Sequence, residues 1–322
     1  MVPGCSGRLA APQLFSGPMP ISDSPRLPIT AAAALLVNAA IWGISWLPFR
    51  YLDAHGLHSL WSTAWIYLVA SVIFLFSAPG MLSTILRSRW LLLLGLASGL
   101  TNACFNWGVT IGEVMRVVLL FFLMPVWAVL IARLLVGERI DAPALFRVAL
   151  AVIGATTVLW SAETGLPTPN SLADWLGLFG GMGFALTSVL LRREAATPAR
   201  AKILAMALGS VLVPMIAALL ATSNPSYAHL VAWPDINVTT AAAATATALL
   251  LITANLLLQY GAALLPANVT AVIAVSEVAF AALSSWWIAG EAMTARTLAG
   301  GAMIIFASAL ASVSARRREP SD

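Results

Sequence analysis

Three sets of residues in this chain are of types that could bind or move something. The first is a single carboxylate, Glu277, in the apolar stretch ANVTAVIAVSEVAFAALSSWWIAGE of residues 267–291. A glutamate in such a setting could take up a proton, hold a cation or grip a substrate amine. The second set is two amide pairs, Asn102 with Asn106 and Asn255 with Gln259. Each pair is four residues apart and so shares one face of a helix. The third set is aromatic: Trp42, Trp46, Trp107, Trp127 and Tyr260 suit a lining that excludes water and packs on apolar or cationic groups. Glu113 and Arg116, three apart, suit a gate or an anion contact.

Each set also fits a plainer role. Glu277 and the amides could tie helices together inside a bundle. The aromatics could pack or belt the membrane interface, and belting is the reading for Trp61, Trp65, Trp90 and Trp175 near span ends. Glu113 and Arg116 could form a helical ion pair.

The elements that must hold these residues are membrane helices. The chain has 322 residues, 60% hydrophobic and only 9% charged. A soluble domain carries about 25% charged residues, so there are too few here to coat a surface facing water. An outer-membrane barrel is excluded, because its strands alternate rather than run apolar for about 20 residues. Ten apolar spans are predicted near 29–50, 60–78, 90–110, 115–136, 143–161, 173–191, 202–221, 239–261, 267–289 and 296–314. Their connections carry turn formers, as in PGMLS, GLPTPNS and SNPSY. Pro48, Pro125 and Pro214 are candidates to kink spans 1, 4 and 7. Glu277 costs on the order of 2.5–3.5 kcal/mol to insert, so it should face protein or water rather than lipid.

Residues 1–27 read as a disordered cytoplasmic tail rich in Pro, Gly and Ser, with no signal peptide of the usual form and with Met19 as an alternative start to Met1. Residues 315–322 form a basic cytoplasmic tail. With both termini in the cytoplasm, 14 of the 17 basic residues fall inside, and only Arg50, Arg116 and Arg296 fall outside. His55, His58, His229 and the Asn237 sequon then lie in outer loops. Cys5 and Cys104 are placed too differently to pair.

A shift of 153 residues sets Gly137-Glu138 on Gly290-Glu291, Asn102 on Asn255, Asn106 on Gln259, Trp107 on Tyr260 and Gly108 on Gly261. A different offset sets Trp42…Arg50 on Phe184…Arg192. The chain therefore reads as two copies of five helices, residues 28–161 and 173–314. An odd number of helices per copy inverts one copy relative to the other. That build is common in secondary transporters, with the substrate site near the midplane between the copies. The two Gly-Glu pairs read as structural helix ends. Glu277 has no counterpart in the first copy, where Met124 stands.

The stretches LFFLMPVWAVLIARLLVGERI at 120–140 and SEVAFAALSSWWIAGEAM at 276–293, the IWG at 41–43 and the ten spans resemble the EamA-like family of the drug/metabolite transporter superfamily. The resemblance covers nearly all of residues 29–314. It implies a bacterial inner-membrane carrier, an exporter of amino acids, related metabolites or drugs. It implies a central cavity lined by spans 1, 3, 4, 6, 8 and 9. Where the family has Glu-Pro in span 9, this chain has Glu277-Val278; span 4 keeps its proline as Pro125.

No zinc-protease, nucleophile-elbow or phosphate-loop motif is present, so no nucleotide hydrolysis, cofactor or metal is expected. The expected fold is an all-α polytopic membrane protein of ten transmembrane helices in two inverted five-helix repeats. The expected function is secondary transport by alternating access, against which stand an intramembrane enzyme and a non-transporting scaffold or receptor. The expected partners are the lipid bilayer, a small-molecule substrate and a coupling proton or counter-substrate; nucleic acid is not expected, and a homodimer is left open.

Overall fold

The computed structural model describes residues 29–77, 80–137, 141–160, 168–225 and 227–315. The predicted tails, apart from Ala315 at the end of the last helix, together with Glu138 and the basic residues Arg8, Arg26, Arg139, Arg316, Arg317 and Arg318, lie outside the described residues. Within them all regular structure is helical. The order is α1 Ile29–Gly43, α2 Trp46–Ala54, α3 Ser59–Ser77, α4 Met81–Arg87, α5 Arg89–Ile111, α6 Val114–Phe121 and α7 Met124–Val136. There follow α8 Ala142–Leu159, α9 Leu172–Arg193, α10 Ala199–Ser223, α11 Val238–Leu264, α12 Ala267–Ile288 and α13 Ala295–Ala315.

Seven of these segments are long and apolar enough to cross a membrane: Ile29–Ala54, Ser59–Phe76, Val114–Leu135, Ala142–Leu159, Leu172–Arg193, Ala199–Ser223 and Val238–Leu264. The sequence predicts ten. α5 has the length, at 23 residues, but Asn102 and Asn106 lower its hydropathy. α12 and α13 contribute the shorter apolar stretches Ile273–Ile288 and Ala295–Leu310. Large apolar side chains point outward, Phe76 at 84%, Leu134 at 83% and Trp287 at 83% exposure, as suits a surface solvated by lipid.

Local chemistry sets the helix ends. Ser88, Asp141, Ser171 and Asn237 each accept a backbone N–H of the first turn of α5, α8, α9 and α11. The sequon asparagine is thus a helix cap. Gly137 and Gly290 take φ of 73° and 66°, the left-handed conformation that ends a helix and that a side chain would strain. The PGMLS connection carries a short helix, α4, not predicted from its turn formers. It starts at Gly80, again left-handed, and buries Ile85.

Two of the three prolines break their spans. A proline ring clashes with the carbonyl four residues back. For Pro48 that carbonyl belongs to Ile44, and the break between α1 and α2 falls at Ile44–Ser45. For Pro125 it belongs to Phe121, and the break between α6 and α7 falls at Phe122–Leu123. Serines of other helices reach the breaks: Ser284 Oγ donates to the Gly43 carbonyl at 3.4 Å, and Ser308 Oγ to the Phe122 carbonyl at 3.1 Å. Pro214 leaves α10 continuous.

The helices form a closed ring of neighbours: α3, α10, α5, α9, α6, α12, α1, α11 and back to α3. α8 and α13 pack on each other beside it. Glycines permit the closest crossings. Gly95 and Gly99 on α5 meet Gly209 on α10, and Gly154 on α8 meets Gly300 on α13. An apolar core of Trp46, Val117, Leu119, Val278 and Ile304 fills the junction of α2, α6, α12 and α13.

Candidate functional site

The ring encloses a cavity of about 250 Å³, with walls from α1, α3, α5, α9, α10 and α11. It is close to the ~300 Å³ lower end of ligand pockets. Four of the residues singled out in the sequence meet here: Trp42, Asn102, Asn255 and Gln259. Asn102 and Asn255 come from α5 and α11, with α3 packed between those helices. The remaining wall is mostly apolar, with Ile66, Phe74, Phe184, Met206 and Leu251 prominent. On α3, α10 and α11 the lining runs from about the helix midpoint toward Ser77, Ala199 and Leu264, so the cavity reaches from mid-bundle toward that end.

The two amide faces differ in what they have left to offer. Asn102 has spent both donors: its Nδ2 donates to the Ser98 carbonyl at 3.0 Å and to Ser210 Oγ at 2.9 Å, and its Oδ1 accepts from Tyr67 at 2.8 Å. This network ties α3, α5 and α10. Asn255 donates only to the carbonyl of Leu251, at 2.9 Å, which leaves Oδ1 open. Gln259 makes no hydrogen bond among the described residues.

Glu277 stands outside this cavity. It borders a void of about 10 Å³ shared with Trp42, Trp46, Phe105 and Val109. That is about the space of one water. Trp42 borders both spaces, and Glu277 borders only the smaller one. Glu277 has no hydrogen-bond or ion-pair partner among the described residues. Its placement follows from Gly43: a methyl added there would lie 2.6 Å from Phe280 Cβ and 2.7 Å from the Glu277 carbonyl oxygen, so only glycine lets α1 approach α12 here.

The other candidates lie elsewhere. Asn106 is buried and donates to Thr63 Oγ1 at 3.0 Å, joining α5 to α3. Trp46 is buried, donates to Ser284 Oγ at 3.0 Å and lies under Arg50, 4.8 Å from its ring centre. Trp107 packs edge-on to His58 at 5.2 Å. Tyr260 is 49% exposed, its hydroxyl 3.4 Å from Thr30. Trp127 has a buried indole N–H without a partner among the described residues.

Arg116 pairs with Asp174 rather than with Glu113. Its Nε and Nη2 donate to the two carboxylate oxygens at 2.6 and 2.9 Å, and Asp174 is 1% exposed. The fork geometry of guanidinium and carboxylate favours this over the shallow contact available to a neighbour three residues away. At the same end of the bundle, Glu291 accepts the α6 N–H groups of Val114 and Met115 at 2.8 and 3.2 Å and lies 3.4 Å from Arg50. Arg50 in turn donates to the carbonyls of Val109 and Gly112 at 3.0 and 2.6 Å. These two clusters bind α2, α5, α6, α9 and the end of α12 together on the side away from the cavity.

Residues 29–160 match the model of the EamA-like transporter family. Over that stretch the chain is similar to this family. The seven apolar helices and this match point to a multi-pass membrane protein, and the family matched is one of transporters. Fifteen chains of known structure match the fold. One, described only as the crystal structure of a protein, aligns with a TM-score of 0.52 at 16% identity, covering 91% of this chain and 99% of its own. At that identity the likeness speaks for the fold alone. Comparison with curated proteins finds no match.

Proposed function

We propose that this EamA-like protein is a secondary transporter that exports small metabolites across a bacterial inner membrane by alternating access. The observation that carries the reading is the cavity at the centre of the helix ring, walled by α1, α3 and α5 from one half of the chain and by α9, α10 and α11 from the other. Ten spans in two inverted halves would place it at their interface, where such carriers bind substrate.

The repeat finds support in contacts that the two halves make with each other. Gly108 on α5 packs against Ala173 on α9, and Gly261 on α11 packs against Ala31 on α1. Gly108 and Gly261 are 153 apart, the offset that aligns the two Asn faces. Ala31 and Ala173 are 142 apart, the offset that sets Trp42 on Phe184. One contact is thus the other with the halves exchanged. The basic residues favour cytoplasmic termini, which puts the Arg50–Glu291 and Arg116–Asp174 clusters outside. They would hold the outer side shut while the cavity faces inward.

Glu277 is the residue best suited to couple transport to a proton or counter-substrate. A carboxylate at membrane depth without a protein partner is stable only with a bound proton or cation, so its occupancy can change during a cycle. Efflux and resistance profiling of an overexpressing strain, against amino acids, their toxic analogues and drugs, tests the reading. Raised tolerance or efflux of a defined subset supports it. Reconstituted protein that moves no member of such a panel, with or without a proton gradient, opposes it.

A further inference from the structure

The lining of the cavity also specifies what it can hold. None of the described residues that line it carries a charge. The one embedded carboxylate nearby, Glu277, borders only the smaller void. An ion brought into such a space would give up part of its hydration without gaining a counter-charge, which is more costly than the same loss for a neutral group.

The polar groups that remain open are neutral. Thr187 is the clearest. It is 4% exposed, and its Oγ1 has no hydrogen-bond partner among the described residues. Thr63, Thr101, Thr110, Thr245, Thr247 and Thr253 each donate to the carbonyl four residues back, the usual refuge of a helical threonine. Thr187 makes no such bond, and it lines the cavity. Asn255 Oδ1 and the Gln259 amide are open on another wall. Together they offer one buried hydroxyl and two amides, each with a donor and an acceptor open, beside otherwise apolar walls; Asn255 and Gln259 are exposed toward the open side of the cavity.

We propose that the cavity selects uncharged amphipathic molecules, an apolar body bearing an amide- or hydroxyl-type group that both donates and accepts, and rejects cations, anions and zwitterions of the same size. The proposal rests on the cavity being the substrate site. It disfavours free amino acids and favours their neutral derivatives. Asn255 and Gln259 act as specificity residues, and Thr187 donates to or accepts from the ligand where Asn102, with both N–H groups taken, has no donor to give.

The test uses four probes that share an indole ring and differ in charge: indoleacetamide, tryptamine, indoleacetate and tryptophan. Their binding to purified full-length protein in lipid nanodiscs is measured by calorimetry at neutral pH. The neutral amide is expected to bind at least about tenfold more tightly than each of the other three. Asn255→Leu and, independently, Gln259→Leu are expected to weaken it at least about fivefold with the helical spectrum unchanged, about what one net hydrogen bond contributes. A charged probe that binds as tightly as the amide, and is weakened by either substitution, overturns the uncharged class while keeping the cavity as the site. Amide binding that neither substitution changes overturns the assignment of these residues. Failure of all four probes to bind overturns both the class and the cavity as a substrate site.

Discussion

Asp174→Asn is the perturbation whose size the structure defines best. The carboxylate is 1% exposed and receives Arg116 Nε at 2.6 Å, Arg116 Nη2 at 2.9 Å and the Asn170 N–H at 3.0 Å. Hydrogen bonds to charged groups contribute about 1.5–3 kcal/mol each. Removing one partner of a fully buried pair costs about 3–5 kcal/mol, because the other charge is stranded. The Arg116 side chain is 22% exposed, so some of its charge stays hydrated, and asparagine keeps one acceptor. The expected loss is therefore about 2–3 kcal/mol, or roughly a hundredfold in the folding equilibrium. Denaturant unfolding in mild detergent, followed by circular dichroism, reads it. Arg116→Met in the Asp174→Asn background should recover more than half of the loss, since neither charge is then left alone. A single substitution within about 0.5 kcal/mol of the parent, or two losses that simply add, would refute the pair as a buried clamp.

Two further predictions concern packing and protonation. Gly43→Ala should cost about 1–3 kcal/mol by forcing α1 off backbone atoms of α12, whereas Gly301→Ala, which meets only the Leu119 side chain at 3.1 Å, should cost less; thermal unfolding compares them. His58 is half-buried, accepts the Leu60 N–H at Nδ1 and has its Nε2 buried without a partner, and burial lowers its pKa from 6.5 to about 4. The unfolded chain then takes the proton first, so stability present above pH 6.5 should decline as pH falls toward 4. His58→Gln should flatten that decline in a melting series, and an unchanged slope would show that His58 does not carry it.

The helices were legible because composition and run length speak directly to a membrane, and the cavity because spacing and repetition marked its amides. Asn102 and Asn255 could be paired by offset alone. What spacing could not tell was that Asn102 would be consumed by Tyr67 and Ser210, since those partners lie 35 and 108 residues away. Arg116 had an acid three residues off, and that local partner hid the better one 58 residues on. Asp174 itself, in the first turn of a span behind a serine cap, looks like an ordinary acid at a helix start. Glu291 reads as a helix end from its glycine, yet its work is to cap α6 from the other half of the chain. Thr187 carries no sequence signal at all, because an orphaned hydroxyl is defined by contacts it fails to make. Glu277 was conspicuous as a lone charge, but its place outside the cavity depends on how closely α1 approaches α12 at Gly43.

The central claim is that this is a gradient-coupled carrier in which Glu277 links a proton to a cavity it does not itself line. The most direct measurement is transport by Glu277→Gln in proteoliposomes, with the substrate identified by efflux profiling and with two arms. One arm imposes a pH gradient; the other measures exchange of labelled for unlabelled substrate with no gradient. The account predicts that Glu277→Gln loses gradient-driven accumulation and keeps exchange. Accumulation equal to the parent protein's under the same gradient would contradict it.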